Sequence, residues 1–461
     1  MIDTTSTYDA IVIGAGYAGL TATRELLKAG KQVLLLEARD RVGGRVWTKR
    51  FDDGSYVDLG GAWVGPTQDR LYALAREFGV ETFKTYDEGK STQYFRGQVK
   101  RYKGLIPPLP IGALLSLDAA IKKLNKLSKT VNLAEPWTTP NARQLDSMTL
   151  ASWMEKQMSF EVARQFFKVA AEAIWAADPA EISLLHALFY TKSGRDLDTL
   201  MNVKNGAQEE RFVGGAQTTA DRMAATIQDR IVFNCPVKAI IRENEQIQVL
   251  TDRATFSAQR VVVTVPPALT AQIDFQPLLP AQRAQLIQRM PMGSVWKCYA
   301  IYDKPFWRDQ GLNGLAATTD GHVTVTFDNS PKDGSRGVMM GFVLGNQAKA
   351  FCELSDEDRK LSALHSFATF FGQEALKPVH YLDHSFINEE WSRGCYAGLM
   401  GPGVWTTLGK ALREPVGRIH WAGTETSDIW NGYIDGAVRS GERVAAEVIQ
   451  QLNTPVQASK A

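Results

Sequence analysis

Cysteine is scarce in this chain: 461 residues hold four, Cys235, Cys298, Cys352 and Cys395. Their spacing matches no metal-ligand pattern and cannot build a disulfide-dense scaffold, so a reducing, cytoplasmic setting is the expectation. An excess of one charge is also lacking, the formal balance being +2. That is too near neutrality for a nucleic-acid footprint, although a local basic patch stays open. No basic start followed by an apolar stretch opens the chain, which argues against a secretory leader. Long apolar runs are missing too. The last helical pattern, Gly436 to Leu452, carries Arg439, Glu442, Arg443 and Glu447, and the tail Asn453 to Ala461 is polar, so no transmembrane anchor is expected. Ile106 to Leu117, with Pro107, Pro108 and Pro110, reads as a buried loop or helix start, with a peripheral contact or entrance loop as the alternative. Repeats and low-complexity tracts are absent.

What is present begins at the N-terminus. Tyr8 to Ile13 is a short apolar strand followed by Gly14-Ala-Gly16-Tyr-Ala-Gly19, where the chain must turn into a helix beginning near Tyr17. Gly14 suits the turn, Gly16 allows close approach of a pyrophosphate, and Gly19 allows the helix to pack, while the helix start offers unpaired N–H groups to phosphate. Gln32 to Leu36 then forms a second strand ending at Glu37, whose carboxylate can accept hydrogen bonds from both ribose hydroxyls. Strand, glycine loop, helix, strand and acid in this order specify dinucleotide binding far better than glycines alone.

A second glycine-arginine stretch follows: Glu37-Ala38-Arg39-Asp40-Arg41-Val-Gly43-Gly44-Arg45, then Asp58-Leu-Gly60-Gly61-Ala62-Trp63. It fits a chain folded back along a diphosphate, with an ion pair to Glu37 or Asp40 as the plain alternative for any one arginine. This segment resembles the signature of the flavin amine oxidase superfamily, which implies FAD rather than NAD. The resemblance spans almost the whole chain and is closest to monoamine oxidases, without their membrane tail. It implies an α/β FAD-binding Rossmann-like domain of the glutathione-reductase type, interleaved with an α+β substrate domain of mixed sheet and helices. The expected segments are 1–85, 212–288 and 389–461 for FAD, and 86–211 and 289–388 for substrate. At 461 residues and 44% hydrophobic, the chain is long enough for two such cores.

Between the motifs, Leu71 to Phe78 reads as helix and Tyr94 to Tyr102 as a hairpin. Ser116 to Ala177 reads as mainly helical, broken near Ala134 to Asn141, with apolar faces over Thr149 to Met158 and Glu161 to Ala173. Phe212-Val-Gly214-Gly215 returns the chain to the cofactor domain, and Ile231 to Ile240 and Arg260 to Val265 read as strands. By the resemblance Val237 lies beside the adenine; by composition it is a strand valine in a core.

Lys297 interrupts an apolar, strand-like segment, and a buried ammonium is costly unless paired or solvated. The resemblance implies that it reaches through water toward flavin N5 and assists the reaction with oxygen; a snorkelling edge lysine is the alternative. Cys298 is expected on the opposite strand face. Cys395, in Trp391-Ser-Arg393-Gly-Cys395-Tyr396, matches the position of the flavin thioether in monoamine oxidases. Arg393 departs from the glycine of the mammalian pattern, so a noncovalent flavin beside a free thiol stays open. Tyr396 and Tyr433 match the two tyrosines flanking the substrate amine, though either alone could belong to a core. Gly423, Thr424, Glu425, Gly432 and Tyr433 resemble the closing FAD motif.

The same matching gives a pocket of Ile174, Met201, Gln208, Val325, Phe327 and Phe342, with Gln208 as its polar wall, Met201 as gate and Phe386 farther out; a plain core role stands beside each apolar one. An amino-acid oxidase would need an arginine clamp, for which Arg211 and Arg393 await a structure. A diamine oxidase would need a distal anion, and alternation turns Asp328 away from Phe327. The implied reaction is oxidative deamination of a primary monoamine, with arylalkylamines expected, to aldehyde, ammonia and hydrogen peroxide using oxygen. Putrescine or polyamine oxidase and L-amino-acid oxidase are the alternatives within the superfamily. A homodimer is compatible with the resemblance; no sequence signal requires it.

Overall fold

The computed structural model describes residues 6–104, 106–243 and 246–454. The chain forms two compact units, each assembled from separated stretches: Met1–Gly44, Thr219–Met290 and Thr407–Ala461 in the first, Arg45–Thr218 and Pro291–Thr406 in the second. The first is an α/β Rossmann-like unit; the second combines helices with a mixed sheet.

The first unit is organised by one long strand, Thr255–Val263. Its second half lies parallel between Thr7–Ile13 and Ile419–Trp421, and Val33–Leu36 and Ile231–Val232 continue the parallel sheet beyond Thr7–Ile13. Its first half pairs antiparallel with Gln246–Thr251, which in turn pairs with Val237–Glu243. The inner strands are runs of Val, Ile and Leu because helices cover a parallel sheet. Ile11, Leu34, Val261 and Ile419 all lie in one core.

This dual pairing explains two departures from expectation. The strand expected over Arg260 to Val265 begins at Thr255, because its early residues serve the antiparallel ladder. The strand expected over Ile231 to Ile240 breaks after Val232 and resumes at Val237. Asn234 adopts a left-handed φ of 50° there, and Pro236 lacks an N–H for a ladder.

The second unit is built on a seven-stranded sheet in the order His380–Ser385, Val295–Tyr302, Gly337–Leu344, Val325–Asp328, Leu312–Thr318, Lys90–Phe95, Gln98–Tyr102. Alternation along Val295–Tyr302 divides its side chains between two cores. Trp296, Cys298, Ala300 and Tyr302 pack on one face, Val295, Tyr299 and Ile301 on the other. Cys298 thus lies opposite Lys297's face.

Helices Leu150–Gln157 and Glu161–Trp175 lie where apolar periodicity places them, the first capped by Thr149, whose Oγ1 accepts the Ser152 N–H at 3.1 Å. The segment around Ile106 to Leu117 differs. A helix Ile111–Ser128 does start there, but Ile111 is 78% and Leu115 63% exposed, so its opening turn is not buried as expected. Among the described residues no helix is long and apolar enough to cross a membrane. Residues 455–461 of the polar tail lie outside the described residues.

Candidate active site

The glycine loop of the first unit has the geometry that its sequence calls for. Gly14 adopts φ 100°, which disfavours any side chain. A Cβ on Gly19 would fall 1.8 Å from the Gly14 carbonyl oxygen, so the helix Tyr17–Lys28 rides directly on the turn. Gly16 caps that helix with no side-chain partner and bridges to Gly43, while the Gly43 N–H donates to Ala15 O at 2.9 Å. Bare backbone therefore lines the helix start, as a diphosphate requires.

Glu37, at the end of the second strand, is buried. Its Oε2 accepts the Ala15 N–H at 2.7 Å and its Oε1 the Arg39 N–H at 3.0 Å. Each oxygen keeps a further lone pair for a ribose hydroxyl. Ala38 is half-buried beside it, and Arg41 donates to Gly44 O at 2.9 Å, closing the second glycine turn. Val237 packs its side chain into the core, leaving its backbone as the part able to meet a ring edge.

The closing motif of the same unit is fastened by a residue that sequence matching did not single out. Asn431 Nδ2 donates to the carbonyl oxygens of Thr424, Glu425 and Ser427 at 3.1, 2.9 and 3.0 Å. Gly423 has φ 113°, and its N–H donates to Ser440 Oγ at 3.0 Å. Gly432, with φ 83°, leads into Tyr433, whose carbonyl accepts the Thr424 hydroxyl at 2.8 Å and whose ring stands edge-on to Trp430 with centroids 4.9 Å apart. Tyr433 is thereby set at the N-terminus of the helix Ile434–Asn453.

In the second unit, Lys297 gathers an aromatic group. Its Nζ lies 5.5 Å from the Trp63 ring centroid and 5.7 Å from that of Phe342. Trp63 and Phe327 centroids are 5.3 Å apart, Phe327 and Phe342 6.0 Å, and Phe342 and Tyr396 6.4 Å. Val325 pairs with Phe342 across the sheet. Only 5% exposed, Lys297 is no snorkelling edge residue. Its Nζ donates to Asp58 O at 3.0 Å and to Gly60 O. Burial pulls its pKa down to about 8, against the attraction of Asp58 and Cys395.

The carbonyls that receive it belong to the second glycine pair. A Cβ on Gly60 would lie 2.1 Å from Arg45 O, and the Gly61 N–H donates to Arg45 O at 3.1 Å. Arg45 itself donates to Tyr396 O at 2.8 Å. Ala62 is buried behind Trp63. Cys395 is buried and in no disulfide, its N–H donates to Gly293 O at 2.9 Å, and the Cys395–Tyr396 peptide is cis. Trp391 is half-buried upstream.

Other expected pocket residues occupy separate elements. Ile174 is buried near the end of Glu161–Trp175, and Met201 is half-buried at the last residue of the helix Leu197–Met201. Gln208 Nε2 donates to Leu200 O at 3.1 Å. Gly65 and Gly206 press together, a Cβ on Gly65 falling 2.1 Å from Gly206 O, which brings the Gln208 loop beside the Trp63 strand. Gln208 Oε1 and Trp63 Nε1 are buried with no partner among the described residues, an acceptor and a donor suited to a bound group. Phe386 is buried edge-on to His384.

The residues held in reserve are committed elsewhere. Arg211 is buried, donating to Ser330 O at 2.8 Å and Asn329 Oδ1 at 3.1 Å. Arg393 is exposed at φ 54°. Asp328 does turn away from Phe327: its Oδ2 takes Arg308 Nε at 2.7 Å and Trp307 Nε1 at 2.8 Å.

Residues 17–449 match the model of the family described as flavin containing amine oxidoreductase. The chain belongs to that family. It is 41% identical over 446 residues to AofH of Mycobacterium tuberculosis, covering 97% of each chain. To horse amine oxidase [flavin-containing] A it is 38% identical, over 96% of this chain and 85% of the relative. Among solved structures, wild-type putrescine oxidase bound to putrescine matches with TM-score 0.93 and 34% identity, over 96% of this chain and 99% of that one. Cyclohexylamine oxidase from Brevibacterium oxydans matches with TM-score 0.93 and 32% identity, over 97% and 100%. The protein is an FAD-dependent amine:oxygen oxidoreductase, and the bare glycine loop with its fastened acid fits that cofactor.

Proposed function

We propose that the amine is a primary monoamine with an apolar body, arylalkylamines foremost, converted to aldehyde, ammonia and hydrogen peroxide. The observation that carries this reading is the ring group Trp63, Phe327, Phe342 and Tyr396 around Lys297, with Asp328 turned out of it into an ion pair with Arg308. Rings of this kind receive an apolar body and tolerate its amine over their faces.

FAD, when bound, accepts the electrons from the amine and passes them to oxygen. The chain's own contribution is to orient and to hold charge. Tyr396 and Tyr433 orient the amine, Gln208 offers a polar contact, Ile174 and Val325 supply apolar wall, and Met201 adapts its rotamer to longer bodies. Lys297 holds a proton behind the rings and assists oxygen. Cys395 is the attachment point for the flavin.

Putrescine is the second reading, favoured by the structural match to putrescine oxidase. Peroxide release from purified holoprotein, measured across phenethylamine, benzylamine, tyramine, cyclohexylamine, putrescine, spermidine and L-phenylalanine, separates the two. Selective turnover of arylalkyl monoamines is expected; a preference for putrescine or for the amino acid overturns the substrate assignment.

A further inference from the structure

We infer that Asp58 is the counter-ion that keeps the Lys297 ammonium charged, and is thereby a positioning residue for the oxygen-consuming half of the reaction. This rests on the role given to Lys297 above. Hydrogen bonds to its Oδ1 favour the carboxylate form of Asp58. Gln217 N–H donates to Thr48 Oγ1 at 3.2 Å, and the Thr48 hydroxyl donates to Asp58 Oδ1 at 2.6 Å. The Ala216 N–H donates to the same oxygen at 3.0 Å. Asp58 Oδ2 has no partner among the described residues. Burial raises the Asp58 pKa, while Thr48, Arg211, Lys297 and the Ala216 amide each favour its carboxylate.

The same residue meets Lys297 from its backbone side. Asp58 O receives both Lys297 Nζ and the Tyr299 hydroxyl, and Gly60 O receives Lys297 again. The short strand Tyr56–Asp58 is pinned by its pairing with Thr48–Arg50, in which Thr48 lies opposite Asp58. Gly215 closes the far side: a Cβ there would fall 2.2 Å from Thr48 Cγ2 and 2.9 Å from Asp58 Oδ1. Asp58 has no freedom to swing out, and its charge acts through space on an ammonium held by carbonyls.

Charge bookkeeping in this buried region requires an anion. Lys297 and Arg211 are both buried and both favour the Asp58 carboxylate, which in turn raises the Tyr56 pKa. Burial above all, and Arg211, disfavour the Lys297 ammonium, whereas Asp58 and, after it, Cys395 favour it. The remaining groups that face Lys297 are the Cys395 thiol, the Tyr299 phenol and His384, its partner across the sheet. Besides Asp58 only the Cys395 thiol favours the ammonium, so without Asp58 the buried Lys297 and Arg211 would keep little compensation.

Asp58→Asn tests this, since its amide oxygen can still accept from Thr48 and Ala216 while the charge is gone. A lysine 15N NMR titration of the holoprotein, with the Lys297 resonance identified by its loss in Lys297→Met, reads the ammonium directly. Lys297 is expected to titrate about one pH unit lower in Asp58→Asn, and reoxidation of the reduced holoprotein by oxygen should fail from a correspondingly lower pH. An unmoved Lys297 titration overturns the inference. Should Asp58→Asn not fold, Thr48→Val weakens the same anion from behind: a smaller displacement in the same direction, reversed in Thr48→Ser, is expected, and none overturns it. If Lys297→Met meets oxygen as fast as wild type, the role given to Lys297 falls, which the NMR displacement would distinguish from failure of the charge pairing.

Discussion

Glu37 holds the amide of Ala15 at 2.7 Å, so the acid at the end of one strand is also the clasp of the glycine loop 22 residues earlier. Glu37→Ala removes the acceptor of the buried Ala15 amide, a loss on the order of 1–3 kcal/mol, and of the half-buried Arg39 amide. Flavin content, read as the ratio of visible to 280 nm absorbance after gel filtration, should fall roughly tenfold or more. Glu37→Gln, which retains one acceptor, should fall in between.

Lys297 titrates at about 8 in the folded protein and at an ordinary 10.5 in the unfolded chain. Between those values the unfolded state binds more protons, so this group makes stability rise as pH climbs from about 8 to about 10.5, in full by on the order of 3 kcal/mol. Urea unfolding at pH 7.5 and pH 9.5 should show that rise in wild type and its loss in Lys297→Met.

Cys395 is expected to carry the flavin through a thioether. After acid precipitation the yellow colour should stay with the polypeptide in wild type and pass to the supernatant in Cys395→Ala. Free flavin from both proteins would make the thiol a bystander.

Asp328 is expected to matter for folding and not for substrate choice. Asp328→Ala leaves Arg308 and the Trp307 indole without their acceptor and should cost on the order of 3 kcal/mol in urea unfolding. The ratio of phenethylamine to putrescine turnover should stay at its wild-type value; a collapse of putrescine turnover alone would place Asp328 in the site.

The sequence made legible whatever depends on local chemistry. The glycine loop, the acid after the second strand, the lysine inside an apolar strand and the closing motif all carry spacing that backbone geometry imposes. What it hid depends on partners far along the chain. The Thr255–Val263 strand was foreseen only in its later half, because its early residues become strand by pairing with Gln246–Thr251. Asp58 stood in a quoted motif, yet its two uses, carbonyl to Lys297 and carboxylate to Thr48, appear only once strands from three regions meet. An acid between Val57 and Leu59 was the available signal. Asn431 gave none, since an asparagine before a glycine reads as a turn, and its carbonyl partners lie in and just after a 3-10 segment that the sequence does not announce.

The final helix, Ile434–Asn453, lies on the first, Tyr17–Lys28, so closely that a Cβ on Gly441 would sit 2.5 Å from Ala18 O. Together with the strand Ile419–Trp421, which pairs with Thr255–Val263, it completes a unit whose strand Thr7–Ile13 lies far earlier in the chain. The dinucleotide-binding unit therefore cannot close until Ile419–Asn453 has been made, and its early strands wait for these distant partners.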